Sequence, residues 1–88
     1  MIVKYEKKFL KDIKKLNDEK IATKLKSILK DLEEKDDLST FVNIKKLKGD
    51  DKYFRIKIGS YRLGFSYENN EVTILRFLHR KDIYKLFP

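Results

Sequence analysis

The chain has 88 residues, 41% of them charged, a formal net charge of +8 and no cysteine. That length supports a single domain over 1–88 with one modest two-layer core. The composition excludes disulfides, thiol nucleophiles and zinc–thiolate sites, the one histidine excludes multi-histidine metal chemistry, and no segment approaches a membrane span.

Charge is uneven along the chain. Residues 1–44 hold 11 lysines against 9 acidic side chains, whereas residues 45–88 hold 11 lysines and arginines against 5. The positive field therefore belongs to the second half, as expected of a surface for nucleic acid or for an acidic protein. A cytoplasmic protein is the natural expectation, opening on a short strand rather than a signal peptide.

Ile2, Val3 and Tyr5 form that strand. Glu6 to Leu16 carries Phe9, Leu10, Ile13 and Leu16 at helical spacing among lysines. Asn17-Asp18 interrupts it and supplies an N-cap for a second helix, whose stripe is Ile21, Leu25, Ile28, Leu29 and Leu32. The two helices make a hairpin that buries these stripes against a sheet. Glu33 to Asp37 ends the second helix with an acidic run that opposes the helix dipole, so fraying is expected there. Leu38 to Leu47 reads as a connector tacked onto the core by Phe41, Val42, Ile44 and Leu47. Gly49-Asp50-Asp51 reads as a turn.

Tyr53–Ile58 alternates, with Phe54, Ile56 and Ile58 on one face and Tyr53, Arg55 and Lys57 on the other. Tyr61–Tyr67 alternates too, setting Tyr61, Leu63, Phe65 and Tyr67 against Arg62, Gly64 and Ser66. Gly59-Ser60 suits a two-residue primed hairpin turn, which puts Ile58 across from Tyr61, Lys57 across from Arg62 and Arg55 across from Gly64. Like charges facing each other across a ladder destabilise it, so Lys57 and Arg62 make sense around a bound polyanion. Gly64 leaves room for a ligand beside Arg55. A solvated basic face is the plain alternative.

The last strand, Val72 to His79, follows a turn at Asn69-Asn70. With a two-residue loop, Arg62 faces Phe77 and Ser60 faces His79, so His79 joins Lys57 and Arg62 on the basic face. The same register leaves Leu75 and Phe77 apolar on the open face, implying a partner that covers them. It also puts Arg76 on the core face with Ile74 and Leu78. Either Arg76 reaches outward from the sheet end or the loop is longer and the strand is shifted. Arg80 to Phe87 ends in a tight turn or one helical turn carrying Tyr84.

Arg55, Lys57, Arg62, His79, Arg80, Lys81 and Tyr84 are the candidate functional residues. No pair of carboxylates accompanies them, so metal-dependent phosphodiester hydrolysis lacks ligands. No Ser/His/Asp arrangement or phosphate-binding glycine loop is visible. What remains is a metal-free set suited to RNA. Arginines hold a phosphate and stabilise its developing charge, a Lys, His or Tyr moves protons, and an aromatic stacks on a splayed base. Non-catalytic RNA binders also combine basic and aromatic residues.

The order strand–helix–helix–three strands, with LKGDDKYFRIKIGSYRLGF and VTILRFLHRKDIY, resembles the RelE/ParE toxin superfamily of toxin–antitoxin systems, closest to its RelE-like branch. The resemblance covers nearly the whole chain. It implies an α+β fold: a small, mainly antiparallel sheet with a two-helix hairpin packed on one face (β-α-α-β-β-β). It also implies a type II toxin that cuts mRNA, typically in the ribosomal A site, by attack of the 2′-hydroxyl on the adjacent phosphate without metal or other cofactor.

Carried over by position, Arg55 and Lys57 match the two basic residues on the second strand of the family's fold, and Arg62 the arginine that grips the phosphate. Arg80 matches the basic residue that stabilises charge, and Tyr84 the tyrosine credited with base stacking or proton transfer, at a spacing from Arg80 two residues shorter than in the best-known pattern. His79 stands where several relatives use a histidine for acid–base work, while Lys48 and Lys81 supply general attraction for RNA. The implied partners are a cognate antitoxin, mRNA and the ribosome. The alternatives are a ParE-like inhibitor of DNA gyrase without nuclease activity and a noncatalytic RNA- or protein-binding module on the same fold.

Overall fold

The computed structural model describes residues 1–49 and 51–88. In chain order its elements are β1 (Ile2–Tyr5), α1 (Lys7–Lys14), α2 (Glu19–Glu34), β2 (Ile44–Lys46), β3 (Tyr53–Ile58), β4 (Tyr61–Glu68), β5 (Glu71–His79) and α3 (Arg80–Leu86). Among the described residues the strands form one sheet in the order β1-β5-β4-β3-β2. β1 runs parallel to β5 and every other pair is antiparallel. The α+β architecture is the expected one, with β2 as an added edge strand inside the segment read as a connector. Of that segment's four apolar residues, Val42 is 75% exposed and does not reach the core. The expected turn at Gly49-Asp50-Asp51 includes Asp50, which lies outside the described residues.

Two tight turns fix the sheet. Gly59 has φ +59°, the positive value that the first central residue of a type II′ turn needs. Asn69 (φ 53°) and Asn70 (φ 60°) are both left-handed, as a type I′ turn requires, and Asn tolerates that region better than most side chains. The β3–β4 register is the expected one: Ile58 faces Tyr61, Lys57 faces Arg62 and Arg55 faces Gly64.

The β4–β5 register departs from expectation half-way along. Phe65 faces Ile74 but Gly64 faces Arg76, so Leu75 is the extra residue of a β-bulge. That one residue reverses which side of the sheet each later side chain of β5 meets. Phe77 lies opposite Leu63, 2% exposed in the core, rather than on the open face awaiting a partner. Arg76 leaves the core face, and His79 moves opposite Tyr61.

Asp12 of α1 completes the bulge. Its carboxylate accepts from the Phe77 backbone N–H at 2.9 Å and from Arg76 Nε and Nη2 at 2.9 and 3.0 Å. A buried N–H left without a strand neighbour would cost about 1–3 kcal/mol, and Asp12 supplies the acceptor. Its carboxylate also raises the pKa of Arg76 above the ordinary guanidinium value, chiefly through the hydrogen bonds.

The core is Phe9 of α1, Ile21, Leu25 and Leu32 of α2, and Ile56, Ile58, Leu63, Phe65, Val72, Ile74 and Phe77 of the sheet. Leu10, grouped with the first stripe by spacing, is exposed instead. Asp18 caps α2, its side chain accepting from the Ile21 N–H at 3.1 Å. The acidic end of α2 is tied down by β1, where the Tyr5 hydroxyl donates to Glu33 at 3.0 Å. Burial and this carboxylate raise the Tyr5 pKa.

Candidate functional site

Alternation on β3 and β4 sends Arg55, Lys57 and Arg62 to the face away from Phe54, Ile56 and Leu63. β2 adds Lys45, directly opposite Arg55. Asn43, left-handed at φ 59°, turns the chain into β2, and its carbonyl accepts from the Lys57 backbone N–H at 2.9 Å. α3 brings Tyr84 from the other side. Together Asn43, Ile44, Lys45, Arg55, Lys57, Arg62 and Tyr84 line a cavity of about 310 Å³.

The electrostatics of this cavity are one-sided. Lys45, Arg55, Lys57 and Arg62 contribute four cations, and no lining side chain is acidic. Among the described residues none of these four is ion-paired. Mutual repulsion of that kind is unfavourable for the sheet alone and is relieved by a multiply charged anion.

Geometry restrains two of the arginines. Arg62 folds back so that Nη1 donates to the carbonyls of Gly59 at 3.0 Å and Tyr61 at 2.9 Å, which leaves Nη2 and Nε for a ligand. Arg55 lies over the ring of Tyr84, 4.8 Å from its centroid. Such a contact contributes about 0.5–1 kcal/mol where solvent has access. Tyr84 itself stays 62% exposed, so its ring also has a surface free for a base.

The other expected residues lie elsewhere. Arg80 opens α3, exposed, with its backbone N–H bound to the Ser60 carbonyl at 2.8 Å. It is tied to the same β3–β4 turn that holds Arg62 but does not line the cavity. His79 is not on the basic face. The Leu75 bulge turns it to the side of Tyr61, whose ring it meets edge-on at 5.7 Å. There it is the N-cap of α3, its Nδ1 accepting from the Lys81 N–H at 3.2 Å. It lines a separate cavity with Asp12, Lys15 and Tyr61. Lys81 is exposed in the first turn of α3 and Lys48 is exposed just after β2; neither reaches the cavity.

Gly64 was expected to leave space for a ligand. The phenyl ring of Phe87 fills that space, 2.9 Å from where a Cβ would stand. Lys45 and Asn43 are lining residues that sequence reasoning missed. The only signal was Ile44 followed by Lys45, a single apolar–basic alternation too short to announce a strand.

A family profile for the ParE toxin of type II toxin-antitoxin systems (parDE) matches residues 3–84. The chain belongs to the RelE/ParE superfamily of type II toxins. Within that family it is 36% identical to Toxin RelE3 of Methanocaldococcus jannaschii over 89 residues, covering 100% of both chains. The fold is similar to a chain of the RelB-RelE antitoxin-toxin complex from Methanococcus jannaschii, with a TM-score of 0.83 at 34% identity, over 97% of this chain and 99% of that one. The RelE-RelB complex from Pyrococcus horikoshii gives a TM-score of 0.72 at 22% identity, over 90% of this chain and 93% of the other, a likeness of fold alone. No helix among the described residues is long and apolar enough to cross a membrane.

Proposed function

We propose that this toxin is a metal-independent endoribonuclease that cuts mRNA in the ribosomal A site. The observation that carries the proposal is the cavity itself: four cations and an exposed tyrosine ring around a space with no acidic lining residue. An RNA backbone supplies the missing negative charge, and its bases supply planar faces for Tyr84.

In this reaction the 2′-oxygen attacks the adjacent phosphorus, its proton passes to a base, and the P–O5′ bond breaks. The 5′-oxygen takes up a proton, giving a 2′,3′-cyclic phosphate and a 5′-hydroxyl. Arg62 and Arg55 hold the phosphate and stabilise the charge that develops on its non-bridging oxygens. Lys45, Lys57 and Tyr84 are the lining side chains able to exchange a proton with the 2′- and 5′-oxygens. Arg80, beside the turn that holds Arg62, adds positive potential.

The partners are mRNA on the ribosome, in the cytoplasm, and a cognate antitoxin. A relative 34% identical forms a RelB-RelE complex, which supports an antitoxin of that type here. Residues 1–88 act as one domain.

Primer extension on an mRNA in a cell-free translation reaction tests the proposal, with wild-type protein compared with Arg62→Ala and with naked RNA in EDTA as a second arm. New 5′ ends within codons, lost in the variant, are the expected result. A strict metal requirement, or full activity in folded Arg62→Ala, would overturn the mechanism. The family profile that matches bears the ParE name, which favours a second reading as a gyrase inhibitor. Growth arrest with DNA-damage signalling and no RNA cleavage would select it.

A further inference from the structure

We propose that Gly64 and Phe87 are positioning residues: the ring of Phe87, seated on the bare backbone of Gly64, sets α3 at the height that lays Tyr84 across Arg55. Gly64 is buried in the middle of β4. The β4–β5 register shifts between Gly64 and Phe65, but the extra residue is Leu75 on the neighbouring strand and the φ of Gly64 is not in the left-handed region, so its backbone conformation does not call for glycine. A glycine in a strand interior costs about 0.5–1 kcal/mol relative to alanine. Space is the remaining reason. An ideal Cβ here would lie 2.9 Å from Cδ1, Cδ2 and Cε1 of Phe87.

The seat has a second wall. Tyr53 meets the Phe87 ring edge-on at 5.8 Å, and Tyr53 and Arg55 are neighbours on the same face of β3. One strand therefore touches α3 at two points, Tyr53 against Phe87 and Arg55 against Tyr84. Within the helix, Ile83 is fully buried and its carbonyl accepts from the Phe87 N–H at 3.0 Å. Ile83 and Phe87 thus share the buried side, and Tyr84, one residue on from Ile83, turns outward over the cavity. A helix of seven residues does not hold its place by propensity. Its position is set by these contacts and by the Arg80 N–H on Ser60 at the opposite end.

The kinetic consequence rests on the cleavage reading above, whereas the geometric one does not. A Cβ at position 64 displaces the end of a side chain rather than backbone, so Gly64→Ala retains the sheet while α3 shifts. A misplacement of about 1 Å in a group at the reacting centre lowers rate by up to about a hundredfold.

The test is a double-mutant cycle with an independent structural readout. Gly64→Ala is expected to lower kcat for RNA cleavage roughly ten- to a hundredfold, with KM changed less. In a Tyr84→Ala background it should add nothing further. Losses that multiply in the double variant would show a general structural effect and overturn the proposal, as would a wild-type rate in Gly64→Ala. The second readout is the upfield ring-current shift of the Arg55 δ protons by NMR, defined by its loss in Tyr84→Ala. Gly64→Ala should lose that shift while the amide resonances of β3 and β4 stay dispersed, and its persistence would overturn the proposal. If the wild-type protein cuts no RNA, the nuclease reading fails and the Arg55 shift still decides. Should Gly64→Ala not fold, Phe87→Ala removes the ring without crowding the sheet, and the same loss of shift is required.

Discussion

Asp12 and Arg76, 64 positions apart in the chain, form a two-pronged ion pair whose carboxylate also holds the Phe77 backbone N–H. The pair locks α1 to the bulge of β5. The side chains are only 6% and 18% exposed, so removing one partner strands a charge in a poorly solvated place. Asp12→Ala should lower stability by about 3–5 kcal/mol. Asp12→Asn, which keeps an acceptor for Phe77 but not the charge, should lose less. Urea denaturation followed by circular dichroism measures both, and equal losses would show that the acceptor retained for Phe77 contributes nothing.

Lys45 offers a test that separates affinity from fold. It is exposed on the edge strand β2, so Lys45→Ala should change stability by less than about 0.5 kcal/mol. If it contacts a phosphate, RNA binding should weaken and the slope of log K against log salt should fall in magnitude by about 0.7. Fluorescence anisotropy with a short labelled RNA at several salt concentrations reads both quantities. An unchanged slope would remove Lys45 from the RNA surface.

Arg62→Lys keeps the charge and loses the fork. Nη1 is engaged by the turn carbonyls while Nη2 and Nε remain available, an arrangement that a single ammonium cannot reproduce. Losing a charge-assisted hydrogen bond of about 1.5–3 kcal/mol should lower cleavage roughly ten- to a hundredfold. Single-turnover cleavage of a ribosome-bound mRNA gives the number, and wild-type activity would mean that charge alone suffices.

The Asn69-Asn70 turn lies at the far end of the β4–β5 hairpin from the cavity. Since Asn70 sits at φ 60°, Asn70→Ala should destabilise by about 1 kcal/mol and Asn70→Gly should not. Thermal unfolding distinguishes them, and neither substitution should alter cleavage.

How much of this was legible depended on how locally each feature is encoded. The β3–β4 register was readable because Gly59-Ser60 fixes it within two residues and Ile58, Tyr61, Leu63 and Phe65 agree on one face. Asp18 announced its helix because a cap acts within one turn. The bulge at Leu75 has no such local mark. The trace it left was a contradiction: continuing the alternation from Ile74 drove Arg76 into the core. Its resolution needed Asp12, far away in sequence. β2 was hidden because three residues with one inward side chain do not make a pattern. Gly64 looked like space for a ligand because nothing in a linear chain shows that Phe87 returns to occupy it. Arg55, Lys57, Arg62 and Tyr84 could be gathered from strand parity and a family resemblance, whereas His79 depended on the register beyond the bulge and went to the opposite side.

The pairing of Ile2 with Glu71 and of Tyr5 with Ile74 has a consequence for biosynthesis. The earliest strand to leave the ribosome waits, without its neighbour, until the latest strand emerges. Closing so long a loop is entropically costly and slow, and α3, which carries Tyr84, follows that latest strand. A nascent chain therefore has neither a finished core nor a complete cavity. On the cleavage reading proposed above, a chain still lacking β5 and α3 has no assembled site with which to cut RNA.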